Sequence, residues 1–148
     1  MNAALFCSLL FTGLAMAAGF AHAFELPNKI GLDADDYLTV QQIYRGWALL
    51  GIVVYGALFS TLTLAAKARR QPKLFRPAFI AVLSIVAAQA IFWTWTYPAN
   101  RATNNWTFLP SDWLELRNQW EYSHTAGAVL HLIAFLAVVT AALRRPVS

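Results

Sequence analysis

Residues 117–124 read RNQWEYSH and lead directly into TAGAVLHLIAFLAVVTAAL, a stretch apolar enough to enter a bilayer. An arginine, a glutamate and a histidine at the mouth of such a helix are costly unless they face protein or water rather than lipid. At 100° per residue, Arg117, Glu121, His124 and His131 fall within about 80° of one another, and Trp113 and Trp120 lie along one edge of the stripe. A second tetrapeptide, HAFE at 22–25, closes the first apolar run and carries His and Glu in the reverse order of EYSH at 121–124. On antiparallel neighbouring helices the two would bring His22 level with His124 and Glu25 level with Glu121. Arg117 would then stand above, with Tyr44 or Arg45 within reach.

Three chemistries fit that set. In the first, Arg45 and Arg117 neutralise Glu25 and Glu121 in a hydrogen-bonded polar plug. In the second, His22, Glu25, Glu121 and His124 hold a transition metal. Glu-x-x-His pairs on facing helices are the ligand pattern of carboxylate-bridged di-iron bundles, and mixed nitrogen and oxygen donors also suit zinc, manganese or copper. Soluble di-iron sites add two more glutamates, for which this chain offers no counterparts. In the third, no metal takes part: a carboxylate desolvated beside an imidazole abstracts a proton. His131 lies about 10.5 Å deeper than His124, where it would bond a neighbouring carbonyl or Gln89, or ligate haem. Because His124 and His131 share one helix face, a bis-His haem would need His22.

Four apolar runs must position these groups, at about 3–24, 46–66, 77–97 and 123–143. Each is close to the ~20 residues that cross the hydrocarbon core as a helix. The 148-residue chain is 59% hydrophobic and 12% charged, about half the charge of a soluble domain. Runs this long exclude barrel strands, so the spanning elements must be helices. The expectation is a single-domain, all-α, four-helix transmembrane bundle of antiparallel up-down topology, with helices over about 3–24, 43–66, 77–97 and 113–143. Pro77 suits a first helical turn, Pro98 ends the third helix, and Asp112 with Glu115 reads as a capping box.

Lys67, Arg69, Arg70, Lys73 and Arg76 crowd the connection between the second and third runs, and Arg144 and Arg145 end the fourth. The positive-inside bias makes both ends cytoplasmic, N-in and C-in, and puts 25–45 and 98–122 outside. A bacterial cytoplasmic (inner) membrane is the expected location. All seven carboxylates lie in those outer segments. The net charge of +4 is therefore a topology signal with anionic-lipid contact, which argues against a nucleic-acid partner. Cys7, the single cysteine, excludes an internal disulfide and a cysteine metal cluster. Tryptophans and tyrosines near the outer ends form an interfacial belt, those facing inward lining a cavity mouth.

YRGW at 44–47, YPANRATNNWT at 97–107, SDW at 111–113 and LRNQWEYSH at 116–124 together resemble the anthrone-oxygenase-like family of small four-helix membrane proteins. The resemblance runs from about His22 into the fourth helix. It implies Asn100, Trp113, Arg117 and His124 as the matching motif residues; HAFE and Glu121 belong to a pattern shared with the bacterial members. Fungal members oxidise a polyketide anthrone to an anthraquinone with dioxygen and no established cofactor. The implied function is an oxygenase or oxidoreductase acting on a hydrophobic aromatic or quinol-like small molecule, with His124 or Glu121 taking the proton, Arg117 stabilising the enolate oxygen, and Trp113, Trp120, Asn100, Arg45 and Tyr44 around the substrate. The alternative is a non-catalytic membrane protein whose His/Glu cluster binds a metal ion (iron, copper or zinc), haem, a partner membrane subunit or a second copy.

AHA at 21–23 resembles a signal-peptidase site, but no Lys or Arg precedes the apolar part, which is also long for a signal core. Retention of the first helix is expected. N-terminal sequencing of the membrane-extracted protein checks it: a start at Met1 keeps His22, whereas a start at Phe24 removes it.

Overall fold

The apolar runs form helices longer than their hydrophobic cores, because polar residues at one end extend three of the four. In the computed structural model, which describes residues 1–144, α1 covers Asn2–Lys29, a short α2 Ala34–Gln41 and α3 Gly51–Ala68. Then α4 covers Pro72–Ile91, α5 Tyr97–Ala102 and α6 Trp113–Leu143. Four of these stretches are long and apolar enough to cross a membrane: Asn2–Lys29, Trp47–Ala68, Pro72–Ala102 and Trp113–Leu143. The protein is an all-helical, multi-pass membrane protein. Arg145 lies outside the described residues.

Several boundaries differ from expectation, each for a local reason. Pro27 does not stop α1, since so near the end its missing amide costs one bond and Ile30 N–H still donates to the Leu26 carbonyl. The segment after it is not a plain loop. Asp33 caps α2, accepting from the Asp36 amide, with Asp35 and Asp36 in the first turn, where acidic groups complement the helix dipole. Gly46, at φ 87°, breaks the chain between two 3-10 turns, Gln42–Tyr44 and Trp47–Leu50, so the regular part of α3 starts late. Pro72, not Pro77, occupies the first turn of α4. Pro98 does not end that helix: the chain widens into a π turn at Phe92–Thr96 and continues as α5. A proline ring collides with the carbonyl four residues back in a regular helix, and a wider turn just before it gives room. Asp112 stands at the start of α6, but its side chain makes no capping bond.

The packing is inside out relative to a soluble bundle. Phe6, Phe24, Leu49, Ile52 and Phe59 face outward, while the core is built on Ala57, Ala65, Ala78, Ala81, Ala134 and Ala137 with Leu64, Ile85 and Val138. With lipid as solvent, helices gain little by hiding large apolar groups and associate instead through small residues that let backbones approach. Buried hydroxyls bond back to their own helices, as Thr12 does to the Ser8 carbonyl and Thr61 to that of Ala57.

The helices close a ring, α1 against α3, α3 against α4, α4 against α6 and α6 back onto α1. Along α1 and α6 the contacts run Lys29 to Glu121, His22 to His124, Gly19 to Ala128 and Gly13 to Phe135, an antiparallel register. A Cβ on Gly19 would meet the Ala128 Cα at 3.1 Å. Gly19→Leu should therefore force α1 from α6 and lower stability by about 1–3 kcal/mol. Gly31→Ala, with nothing within 4 Å of the added carbon, should be near neutral. Thermal unfolding in detergent checks the pair.

Candidate functional site

The end of the bundle that carries α2 holds two adjoining polar groupings. The first is ionic. The Lys29 ammonium lies 3.1 Å from Glu121 Oε1 and 3.6 Å from Glu25 Oε2, and donates to the Tyr44 hydroxyl at 2.7 Å. Tyr44 in turn donates to Glu25. Tyr37, fully buried on α2, donates to Glu121 Oε1 at 3.0 Å and accepts from Gln41 Nε2. Burial pushes the Tyr37 pKa above the ordinary phenol range, and the Glu121 charge and hydrogen bond add to that. Tyr44 is raised too, by burial first and its Glu25 hydrogen bond second. Both phenols stay protonated donors.

The second grouping is a cavity of about 820 Å³, walled by α1, α3, α4 and α6. This volume is in the range of small-molecule sites. At its α2 end the His22 and His124 rings lie side by side, centroids 4.3 Å apart, with Tyr44 at 4.3 Å and Trp47 and Trp120 at 5.1 Å from His22. His124 Nδ1 sits 3.1 Å from the Trp120 carbonyl. A carbonyl can only accept, so Nδ1 carries the hydrogen and Nε2 keeps its lone pair. Trp120 is held in turn. Its indole donates to Asn100 Oδ1 at 2.7 Å, and the Trp106 indole donates to the same oxygen at 3.2 Å. The π turn and α5 deliver Asn100 to that point. Asn104, Asn105 and Trp106 are three successive residues with φ between 49° and 59°; strain of this kind persists only where surroundings enforce it. Buried Trp106 is fixed by its indole bond and by Gln42 Nε2 donating to its carbonyl.

The structure thus divides the residues that the sequence grouped together. His22, His124, Tyr44, Arg45, Asn100 and Trp120 line the cavity, as does His131; Glu25, Glu121, Arg117 and Trp113 do not. Arg117 donates to the Leu32 carbonyl at 2.7 Å and lies over the Trp113 ring, 4.9 Å from its centroid, so it pins the α1–α2 connection rather than facing a reacting group. Arg45 is exposed and bonded to Gln42. The pairing expected of Arg45 and Arg117 with the two glutamates is made by Lys29.

The metal expectation needs the same correction. Lys29 occupies the position between the carboxylates that a cation would take, and among the described residues no group of three or more His, Cys, Asp or Glu could hold an ion. Nor do His22 and His124 suit a bis-His haem, because their rings touch and leave no slot for a porphyrin plane. Lys29, Tyr37, Gln41 and Trp47 escaped the sequence reading. A helix carried past Pro27 would have shown Lys29 four residues beyond Glu25 on the same face.

Comparison with protein-family models, with curated proteins and with solved structures finds no match for this chain.

Lys29→Met strips a fully buried carboxylate of its counter-charge, a change that costs about 3–5 kcal/mol in buried pairs. Thermal unfolding should show a large loss for Lys29→Met, little for exposed Arg45→Met, and recovery in the Lys29→Met/Glu121→Gln double variant.

Proposed function

We propose that this protein is an oxygenase or oxidoreductase of the membrane that binds a hydrophobic aromatic molecule in the cavity and uses His124 as the base. The observation that carries the reading is the His124 Nδ1–Trp120 carbonyl bond, which leaves the Nε2 lone pair unused on a ring that lines a cavity walled by aromatic rings. His124 Nε2 would take a proton from an acidic C–H or phenolic O–H of the substrate. An activated CH₂ treated in this way gives a carbanion electron-rich enough to react with dioxygen. One oxygen atom ends as the new carbonyl, the other leaves as water with the two hydrogens, and no further reductant is required. Glu121 and Lys29 act from behind the wall as an ion pair, and Lys29 with Glu25 holds Tyr44 in place. The motifs at 97–107 and 116–124 that resemble the anthrone-oxygenase-like family support the same reading.

Access would be sideways. α3 packs along α4 but makes little contact with the Phe92–Thr96 turn, and Tyr55, Trp93 and Tyr97, which line the cavity on that side, are all more than a third exposed. A lipophilic substrate could enter there from the bilayer without crossing water. The basic α3–α4 connection would face the cytoplasm, in a bacterial inner membrane, leaving the cavity in the outer half.

The test is dioxygen uptake and product mass with labelled dioxygen, using purified protein and an aromatic compound with an acidic CH₂ such as anthrone, corrected for spontaneous oxidation. His124→Ala should lower the protein-dependent rate at least 100-fold, the range of lost general-base catalysis. An unchanged rate in that variant, or no protein-dependent uptake, refutes the reading.

A further inference from the structure

His131 is nine-tenths buried, lines the same cavity as His124, and its Nδ1 has no partner in the protein. An intramembrane ionisable group with no structural bond to make is a functional candidate by default. Its level in the bundle brings a second polar group beside it. Thr96 on the α4 side bonds Ser123 on α6 at 2.7 Å. Eight residues along α6 from Ser123 reach His131, and eight back along the antiparallel α4 side from Thr96 reach Ala88, which puts the neighbouring Gln89 within a turn of the His131 level. Gln89 also lines the cavity. The cavity therefore has polar groups at both ends, the His22/His124 pair at one and His131 with Gln89 at the other, separated by aromatic and small apolar walls.

We propose that His131 and Gln89 form a second recognition point, so that the ligand is a single aromatic ring width bearing hydrogen-bonding oxygens at opposite positions, as in a 1,4-dihydroxy ring. This rests on the reading above that the cavity takes a flat aromatic molecule, and it adds where the far end of that molecule is held. Seven residues on one helix face separate His124 and His131 by about 10.5 Å. Hydrogen bonds of about 2.8 Å at each end leave roughly 5 Å between the ligand's two polar atoms, the span of a six-membered ring substituted at positions 1 and 4. One hydroxyl donates to His124 Nε2. The other meets His131 and Gln89, groups that can donate or accept. A ligand with one oxygen would leave the far imidazole unpaired.

Anaerobic titration with tetramethyl-1,4-hydroquinone and with tetramethylphenol, read by quenching of Trp47 and Trp120 fluorescence, tests this. The diol should bind roughly tenfold tighter than the monophenol, the value of one well-made buried hydrogen bond. In His131→Leu that ratio should fall to about one, with monophenol affinity kept. Equal affinities in the unaltered protein overturn the second recognition point, as does a ratio that survives His131→Leu, and both leave the aromatic cavity standing. Failure of both compounds to bind overturns the cavity reading as well. The comparison of two ligands on the unaltered protein decides the matter even if the variant does not fold.

Discussion

Lys29 is the hinge of this molecule's chemistry. Two carboxylates near the end of a membrane bundle would repel one another and each would lose its hydration. One ammonium between Glu25 and Glu121 cancels both problems, and does so between the two helices that must stay in register. The tyrosines reinforce the arrangement by donating to the same two oxygens that Lys29 contacts, Tyr37 to Glu121 Oε1 and Tyr44 to Glu25 Oε2. Because Tyr37 comes from α2 and Tyr44 from the turn after it, the same cluster draws the whole α1–α3 connection down onto the bundle. The cavity inherits its roof from that closure. Tyr44 belongs to both groupings and stacks on His22 while it is bonded to Glu25 and Lys29.

The carboxylates and Lys29 are thereby kept out of the cavity, whose lining carries exposed Arg45 but no other Lys, Arg, Asp or Glu among the described residues. A lipophilic ligand meets imidazoles, indoles, amides and hydroxyls, which can exchange hydrogen bonds without the desolvation cost of an ion. A single residue, Trp120, links the two worlds. Its ring touches His22, His124 and Lys29, its indole N–H is committed to Asn100, and its carbonyl sets the tautomer of His124. The side chain of one tryptophan and its own backbone thus orient the base from two directions.

The helical class and the pairing of HAFE with EYSH were legible in the sequence because both depend on periodicity alone. Reversed tetrapeptides on antiparallel helices must face each other if the helices adjoin, and His22 and His124 do. What was not legible depended on where helices stop. The first helix was expected to end near residue 24 and Pro98 read as a terminator, yet α1 runs on through Pro27, where a single amide is lost, and Pro98 follows a widened turn. Extending α1 by one turn converts Lys29 from a loop cation into the centre of the ionic cluster. The placement of Arg117 outside the cavity lining was not legible for a different reason: helical phase says which side a residue occupies, but not whether a nearby carbonyl, that of Leu32, captures it first.

The widened turn at Phe92–Thr96 has a consequence for how such a chain can change over time. By accommodating one extra residue per turn it rotates everything after it by about 100° relative to an ordinary helix, and Asn100 faces Trp106 and Trp120 only in that phase. Loss of one codon between Phe92 and Thr96 would leave a smoother helix and a shorter protein, but would swing the amide away from both indoles. Loops elsewhere tolerate gains and losses in length; these five residues behave as a fixed spacer.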